Sequence, residues 1–388
     1  MGYVLLVASP FSAFSQALKE WPGFVLEQQY GDNQACYEYK TMGITEKGEL
    51  IIAALSHSIG KSSSNHRFWL WTINKEGKRI REVEVKASQA DEKVPSYSDI
   101  KGLTILENGD VLLVVDFMPS RPSVVVVTKD GKQVLTKEIA GLERSISISK
   151  LIPTKDGNYL LIGYEDQELD LFAMKIDGTG KILWKKKWDM GKEEMFVDGL
   201  ATEDSGFILV GNSGDLGKIL MGGPLKVSVG KYTAHGDLIT EKTFQGRYGS
   251  VARISGGSYV IAYDKSNSLS QDVWVKAFDV TLKELWQTQL IAEEQGIAHF
   301  TLAAVPSGGL LAVGWKAAWP YAARMDKKGN RLWTFQGEPV KGDGVLKRHI
   351  VSRNDEFFMA DTVYPQSVDS SGKPHLCKKV RLMKLTVK

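Results

Sequence analysis

The chain reads as an all-β protein, a seven-bladed β-propeller of four-stranded antiparallel blades, closed by pairing of the N-terminal strand with the C-terminal blade. Three observations carry that expectation. The stretch from Ser149 to Trp188, SKLIPTKDGNYLLIGYEDQELDLFAMKIDGTGKILWKKKW, reads as four short strands joined by turns. The same pattern recurs along the chain with a period of roughly 50 residues, in the range of propeller blades and too long for most solenoid repeats. The two ends of the chain carry complementary parts of one further unit.

Within Ser149 to Trp188, the turn Lys155-Asp156-Gly157 precedes the apolar run Asn158 to Tyr164. Asp170 to Asp177 alternates, with Leu171, Ala173 and Lys175 on one side and Phe172, Met174 and Ile176 on the other. A period of two defines a strand. Asp177-Gly178-Thr179-Gly180 is a tight hairpin signal, and the next strand sets Ile182, Trp184 and Trp188 on one face. Equivalent first turns are Lys47-Gly48, Asn108-Gly109, Asp204-Ser205-Gly206, Gly256-Gly257, Ser307-Gly308-Gly309 and Asn354-Asp355, each followed by apolar residues. The second hairpin repeats at Lys75-Glu76-Gly77, Lys129-Asp130-Gly131, His235-Gly236 and Lys327-Lys328-Gly329, with a glycine-free variant at Val280-Thr281-Leu282-Lys283. A sheet with two apolar faces needs a neighbour on each, and a ring of such sheets supplies both.

At the N-terminus, residues 1–17, MGYVLLVASPFSAFSQA, read as a secretory signal peptide, leaving residues 18–388 as a single propeller domain. The apolar stretch is too short to span a bilayer. Its lack of Lys or Arg points to a shortened start or, alternatively, to a strand. No Cys follows, so a lipid anchor is not indicated. Phe24 to Tyr30 precedes the first complete repeat, whereas the last repeat stops after Lys379 to Val387, one strand short. The first segment is therefore expected to complete the last sheet. That pairing brings Cys36 and Cys377, the two cysteines of the chain, to one corner as a candidate disulfide, with two buried thiols as the alternative. The chain-entropy model assigns such a long loop roughly 5–6 kcal/mol as an upper bound.

Composition fits a large β protein, with 43% hydrophobic residues and 38 glycines in 388. A net charge of +3 gives no reason to expect nucleic-acid binding, and the lysine runs Lys185-Lys186-Lys187 and Lys378-Lys379 suit exposed outer strands. The long connections share one face of a propeller, where binding residues concentrate. Two groups there are the candidate partner-binding residues. Trp315, Trp319 and Tyr321, in WKAAWPY, offer aromatic surface to a sugar or a protein, against packing between blades. Lys101, Lys150, Asp198, Arg253, His299 and Arg348, at the inner strands, are candidates to ring the channel, against paired structural charges. Carboxylates at Glu165, Asp166, Glu168 and Asp170, or at Asp264, lack a full calcium loop and its glycine. No metal is therefore assigned. The six histidines have no metal-ligand spacing, and the common catalytic signatures are absent.

Asp177-Gly178-Thr179-Gly180-Lys181-Ile182-Leu183-Trp184 and Asp326-Lys327-Lys328-Gly329-Asn330-Arg331-Leu332-Trp333, with Asp279 and Trp286 as a degenerate copy, resemble the repeat of the quinoprotein-like (PQQ-like) propellers. The resemblance implies architecture, with tryptophans docking blade on blade. It does not extend to the cofactor: an adjacent-cysteine ring is missing, so PQQ is not expected. The resulting expectation is a noncatalytic exported propeller, periplasmic or extracellular and monomeric, that binds a protein or saccharide partner through its long-loop face without membrane insertion. The alternative is a carbohydrate-active hydrolase or lyase with its site at the channel mouth.

Overall fold

The computed structural model describes residues 24–30, 35–58, 66–86, 99–116, 122–142, 146–165, 171–188, 193–214, 225–265, 270–295, 300–316, 319–336, 349–353, 356–363, 367–368, 374–375 and 379–386. Among these every regular element is a strand. After β1 (Phe24–Tyr30), the first sheet is β2 (Ala35–Ile44), β3 (Leu50–Ser58), β4 (His66–Ile73) and β5 (Arg79–Val85). The second sheet is β6 (Asp99–Ile105), β7 (Val111–Asp116), β8 (Ser123–Val127) and β9 (Gln133–Glu138). The third is β10 (Ile146–Pro153), β11 (Tyr159–Glu165), β12 (Leu171–Ile176) and β13 (Ile182–Trp188). The fourth is β14 (Glu193–Ala201), β15 (Phe207–Gly214), β16 (Lys226–Tyr232) and β17 (Leu238–Gln245). The fifth is β18 (Arg247–Arg253), β19 (Tyr259–Asp264), β20 (Ser270–Phe278) and β21 (Glu284–Gln295). The sixth is β22 (Phe300–Ala304), β23 (Leu310–Lys316), β24 (Trp319–Met325) and β25 (Arg331–Gln336).

Each of these six is an antiparallel meander whose strands follow chain order. The last sheet is assembled differently. It contains β26 (His349–Arg353), β27 (Glu356–Val363) and β30 (Lys379–Thr386), and β1 lies on its far side. Leu26 pairs with Lys384 and Tyr30 with Val380. The short strands β28 (Ser367–Val368) and β29 (Pro374–His375) form a separate pair.

The second strand of each sheet shows why its sequence is an unbroken apolar run. In β3, Ile51, Ala53 and Leu55 pack against Val111, Leu113 and Val115 of the second sheet, while Leu50, Ile52 and Ala54 pack against Phe358, Ala360 and Leu382 of the last. Successive side chains on a strand point to opposite faces, and here both faces are covered. The same division repeats from Leu112 and Leu113 of β7 to Leu310 and Leu311 of β23. Burying both faces removes apolar surface from water at about 25 cal/mol per Å².

Among the described residues the hairpin turns follow the expected positions; Asn354 and Asp355 lie outside them. Gly48, Gly109, Gly157, Ser205 and Gly257 have positive φ in the first turns, as do Gly77, Gly131, Gly180, Gly236 and Gly329 in the second. The glycine-free turn places Leu282 at φ 62° instead. Trp184, Trp286 and Trp333, all on fourth strands, pack against the core clusters between the third and fourth, fifth and sixth, and sixth and last sheets.

One expected loop is much shorter than its sequence suggested. β23 runs to Lys316 and β24 begins at Trp319, with Trp315 paired to Pro320 and Lys316 to Trp319. Trp315 and Trp319 are thus strand residues at the end of a hairpin. Among the described residues, β24 pairs with β25 from Tyr321 onward.

Candidate functional site

The first strands β2, β6, β10, β14, β18 and β22 lie next to one another in that order, and two runs of polar contacts cross them, one from β2 to β6 and one from β10 to β22. The first begins on β2, where Lys40 stands at a bulge between Tyr39 and Thr41. A bulge turns one residue out of the alternation and re-aims its side chain. Lys40 Nζ reaches Glu38 Oε1 at 2.8 Å and Asp99 Oδ1 on β6 at 3.0 Å. Lys101, at the equivalent bulge between Ile100 and Gly102, contacts the other oxygen of Asp99 at 3.2 Å. Burial pushes the Asp99 carboxyl up, but the two lysines outweigh it and hold the group below its usual range. Burial likewise lowers Lys40, and Asp99 and Glu38 reverse the sign, so its pKa is raised.

A second run follows. Lys150 of β10 is paired with Asp198 of β14 and donates to the Gly199 carbonyl at 3.0 Å. Asp198 Oδ2 accepts from Ser250 Oγ of β18 at 3.2 Å and from the Val251 N–H at 2.9 Å. Ser250 Oγ in turn accepts from the Leu302 N–H of β22 at 3.3 Å. Each carboxylate here is tied to a cation or to backbone donors. The arrangement braces neighbouring sheets, and Asp99, held in its charged form, is not poised as a general acid near neutral pH.

Of the residues expected at the channel, Lys101, Lys150 and Asp198 stand in this network, and Lys150 and Asp198 meet. Arg253 does not join them. It is the last residue of β18, paired with Tyr259 beside the turn, and it bonds Glu203 in the first turn of the fourth sheet. Lys155, in the first turn of the third sheet, approaches the same Glu203 at 3.6 Å. Arg253 therefore braces the turn face, because it lies at the turn end of its strand and Lys150 lies mid-strand. His299 and Arg348 lie outside the described residues, as do Asp166 and Cys377. Cys36 is buried at the start of β2.

Tyr321 faces inward. It is buried, its ring meets Phe300 edge-on at 5.9 Å, and its hydroxyl donates to the Leu290 carbonyl at 3.3 Å. That places it in the core between the fifth and sixth sheets. Lys40, Asp99 and Ser250 were not singled out from sequence. The signal for Lys40 was present: it stands at the same offset before Gly48 as Lys101 does before Gly109.

No protein-family model and no curated protein matches this sequence. Solved structures do match its fold. The polysaccharide lyase Uly1 aligns with a TM-score of 0.59 and 10% identity, over 94% of this chain and 100% of the lyase. Drosophila plexin A, solved in complex with semaphorin 1b, aligns at 0.52 and 8% identity, over 94% and 87%. Prolyl oligopeptidase B from Galerina marginata aligns at 0.52 and 11% identity, over 97% of this chain and 54% of that enzyme. The chain thus spans about half of the peptidase. At such identities the likeness establishes architecture alone: the fold is that of a β-propeller, all-β and built of repeated four-stranded antiparallel sheets.

Proposed function

We propose that the chain is a closed seven-bladed propeller, exported to the periplasm or medium, that binds a protein or saccharide partner on the face opposite its hairpin turns and performs no catalysis. The observation that carries this reading is the joint between the last and first sheets. There Tyr30, Tyr39 and Trp71 share a core with Phe358 and Leu382, Tyr30 Oη donates to the Gly77 carbonyl at 2.6 Å, and the Tyr39 N–H donates to Thr362 Oγ1 at 2.9 Å. A ring braced in this way is a rigid frame for display loops. The kinship with quinoprotein-like propellers is taken as architectural.

The test replaces Trp315 and Trp319 by alanine and measures binding to a panel of anionic and neutral polysaccharides and to proteins of the same compartment. The expected result is loss of the partner bound by the parent chain with the melting temperature retained. Retained binding by the folded double variant removes these tryptophans from the site. Export predicts that the mature protein lacks residues 1–17. It also accommodates a Cys36–Cys377 bond, consistent with the absence of a free cysteine among the described residues. Thiol titration of the denatured, unreduced protein should then find none, and two after reduction.

The full-length alignment with a polysaccharide lyase favours one second reading, a lyase acting at the channel mouth. Elimination on a uronic-acid polysaccharide leaves a conjugated double bond. A rise in ultraviolet absorbance during incubation would establish that activity, and its absence across the panel would leave the binding reading.

A further inference from the structure

Between the first and second sheets, on the face of the hairpin turns, lies a cleft of about 200 Å³. At this joint the fourth strand carries an arginine where three other fourth strands carry tryptophan. On the fourth strands, Trp184 pairs with Lys175, Trp286 with Ala277 and Trp333 with Arg324, and the equivalent residue of the first sheet, paired with Thr72, is Arg81. Trp184 Nε1 donates to the Ala234 carbonyl at 3.1 Å and Trp286 Nε1 to the Lys327 carbonyl at 3.0 Å, each in the second turn of the next sheet. Arg81 Nη1 donates to the Lys129 carbonyl, the same position of the same turn.

The steric fit is preserved as well. A Cβ on Gly236 would lie 3.0 Å from Trp184 Cη2, and one on Gly329 would lie 2.5 Å from Trp286 Cε3. On Gly131 it would lie 3.1 Å from Arg81 Cδ. Arg81 thus takes the place of an indole, with the same hydrogen bond, but its chain is narrower than a bicyclic ring. The space left over is the cleft. Its floor is formed by the buried side chains of Ile51, Leu70, Val111 and Val127, and its rim by Glu46, Glu49 and Glu107 with Lys47, Arg81 and Lys129.

We propose that this cleft is a binding site for a small neutral aromatic compound with an N–H donor, of the indole class. The floor is aliphatic, the rim carries equal numbers of each charge and favours no ion, and the Lys129 carbonyl keeps a second lone pair for a donor. An apolar cavity of about 150 Å³ is enough to admit benzene. The site lies away from the long-loop face and does not depend on what that face binds.

Indole is the probe. Calorimetry on the full chain should show saturable binding with a dissociation constant on the order of 1 mM or tighter. In the methyl-labelled parent protein, indole should shift the resonances of Ile51, Leu70, Val111 and Val127. Arg81→Trp should fill the cleft, weaken binding by at least about tenfold, and melt no lower than the parent chain. Absence of saturable binding, methyl shifts confined to other parts of the protein, or undiminished binding in folded Arg81→Trp would each overturn the proposal. The methyl data test it even if the variant does not fold.

Discussion

Leu282 is fully buried at φ 62°, in the one second-hairpin turn that has no glycine. The reason is on the neighbouring sheet. Where the preceding fourth strand presents Trp184 or Trp286, the facing turn has Gly236 or Gly329 directly beneath the ring. Before Leu282 the equivalent residue is Thr240, which covers little, and Leu282 fills the gap within the core between the fourth and fifth sheets. A left-handed backbone costs a leucine about 1–2 kcal/mol, whereas burying the side chain gives about 1.5–3 kcal/mol and removing it leaves a cavity. Leu282→Gly is expected to destabilise the fold by about 1–3 kcal/mol, read from the denaturant midpoint; a stabilised variant would refute the packing account. The converse holds for the glycines. Gly157 has φ 76° and nothing within 4 Å of an added Cβ, so Gly157→Ala should cost only the backbone term. Gly329→Ala adds the collision with Trp286 and should cost clearly more, and equal costs would show that the ring yields freely. The repeat made these turns legible from sequence, but the exchange of roles between Thr240 and Leu282 was not, because it spans two sheets.

At the scale of strands and turns, polar residues do two jobs that the sequence did not separate. On the inner strands, Asp198 joins three sheets through Lys150, Ser250 and the Val251 N–H. Asp198→Ala leaves that N–H without its acceptor and Lys150 with only the Gly199 carbonyl, at an expected cost of about 2–4 kcal/mol. Asp198→Asn keeps an oxygen and should lose about half as much. Comparable losses in the two variants would mean that charge, and not the hydrogen bonds, sets the joint. In the first turns, Asp204 bonds Thr202 and pairs with Lys231 at 2.9 Å. The Thr202 hydroxyl and then Lys231 hold its carboxyl down to about 2, against an ordinary 3.8. The folded state therefore binds that proton less readily than the unfolded chain, so the contribution is fully present above the unfolded value and is lost as pH falls toward 2. Thermal melts from pH 5 to 2 should decline less steeply for Asp204→Asn than for the parent; identical slopes would assign the acid sensitivity elsewhere. Arg253 was read as an inner-strand residue although it stands closer to Gly257 than Lys101 does to Gly109, and the register with Tyr259 places it at the turn. WKAAWPY was read as a loop, whereas only residues 317 and 318 separate β23 from β24.

For the molecule as a whole, sheet repetition was legible because two-faced burial forces unbroken apolar runs at a regular spacing, and the ends were legible because one repeat lacked a strand and another segment lacked a sheet. Function was not, since the same architecture presents unrelated surfaces, and Lys150, Asp198 and Arg253 make contacts that join neighbouring sheets. The proposed ring makes the pairing of β1 with β30 the point on which stability turns. Without β1, β30 becomes an open edge with unpaired N–H and C=O groups, Tyr30 leaves the core it shares with Phe358 and Val380, and its hydroxyl no longer ties the last sheet to Gly77. A chain beginning at residue 35 should therefore unfold at a markedly lower denaturant concentration, or associate through the exposed edge. A permuted chain, in which residue 388 is joined by a flexible linker to residue 24 and new ends are cut in the turn at Ser205, restores the strand covalently and should recover the parent midpoint. Order of connection then matters little, and the presence of the strand matters greatly. If the shortened chain instead melts with the parent as a monomer, the last and first sheets are held by their faces alone, and the closed ring is not what stabilises the molecule.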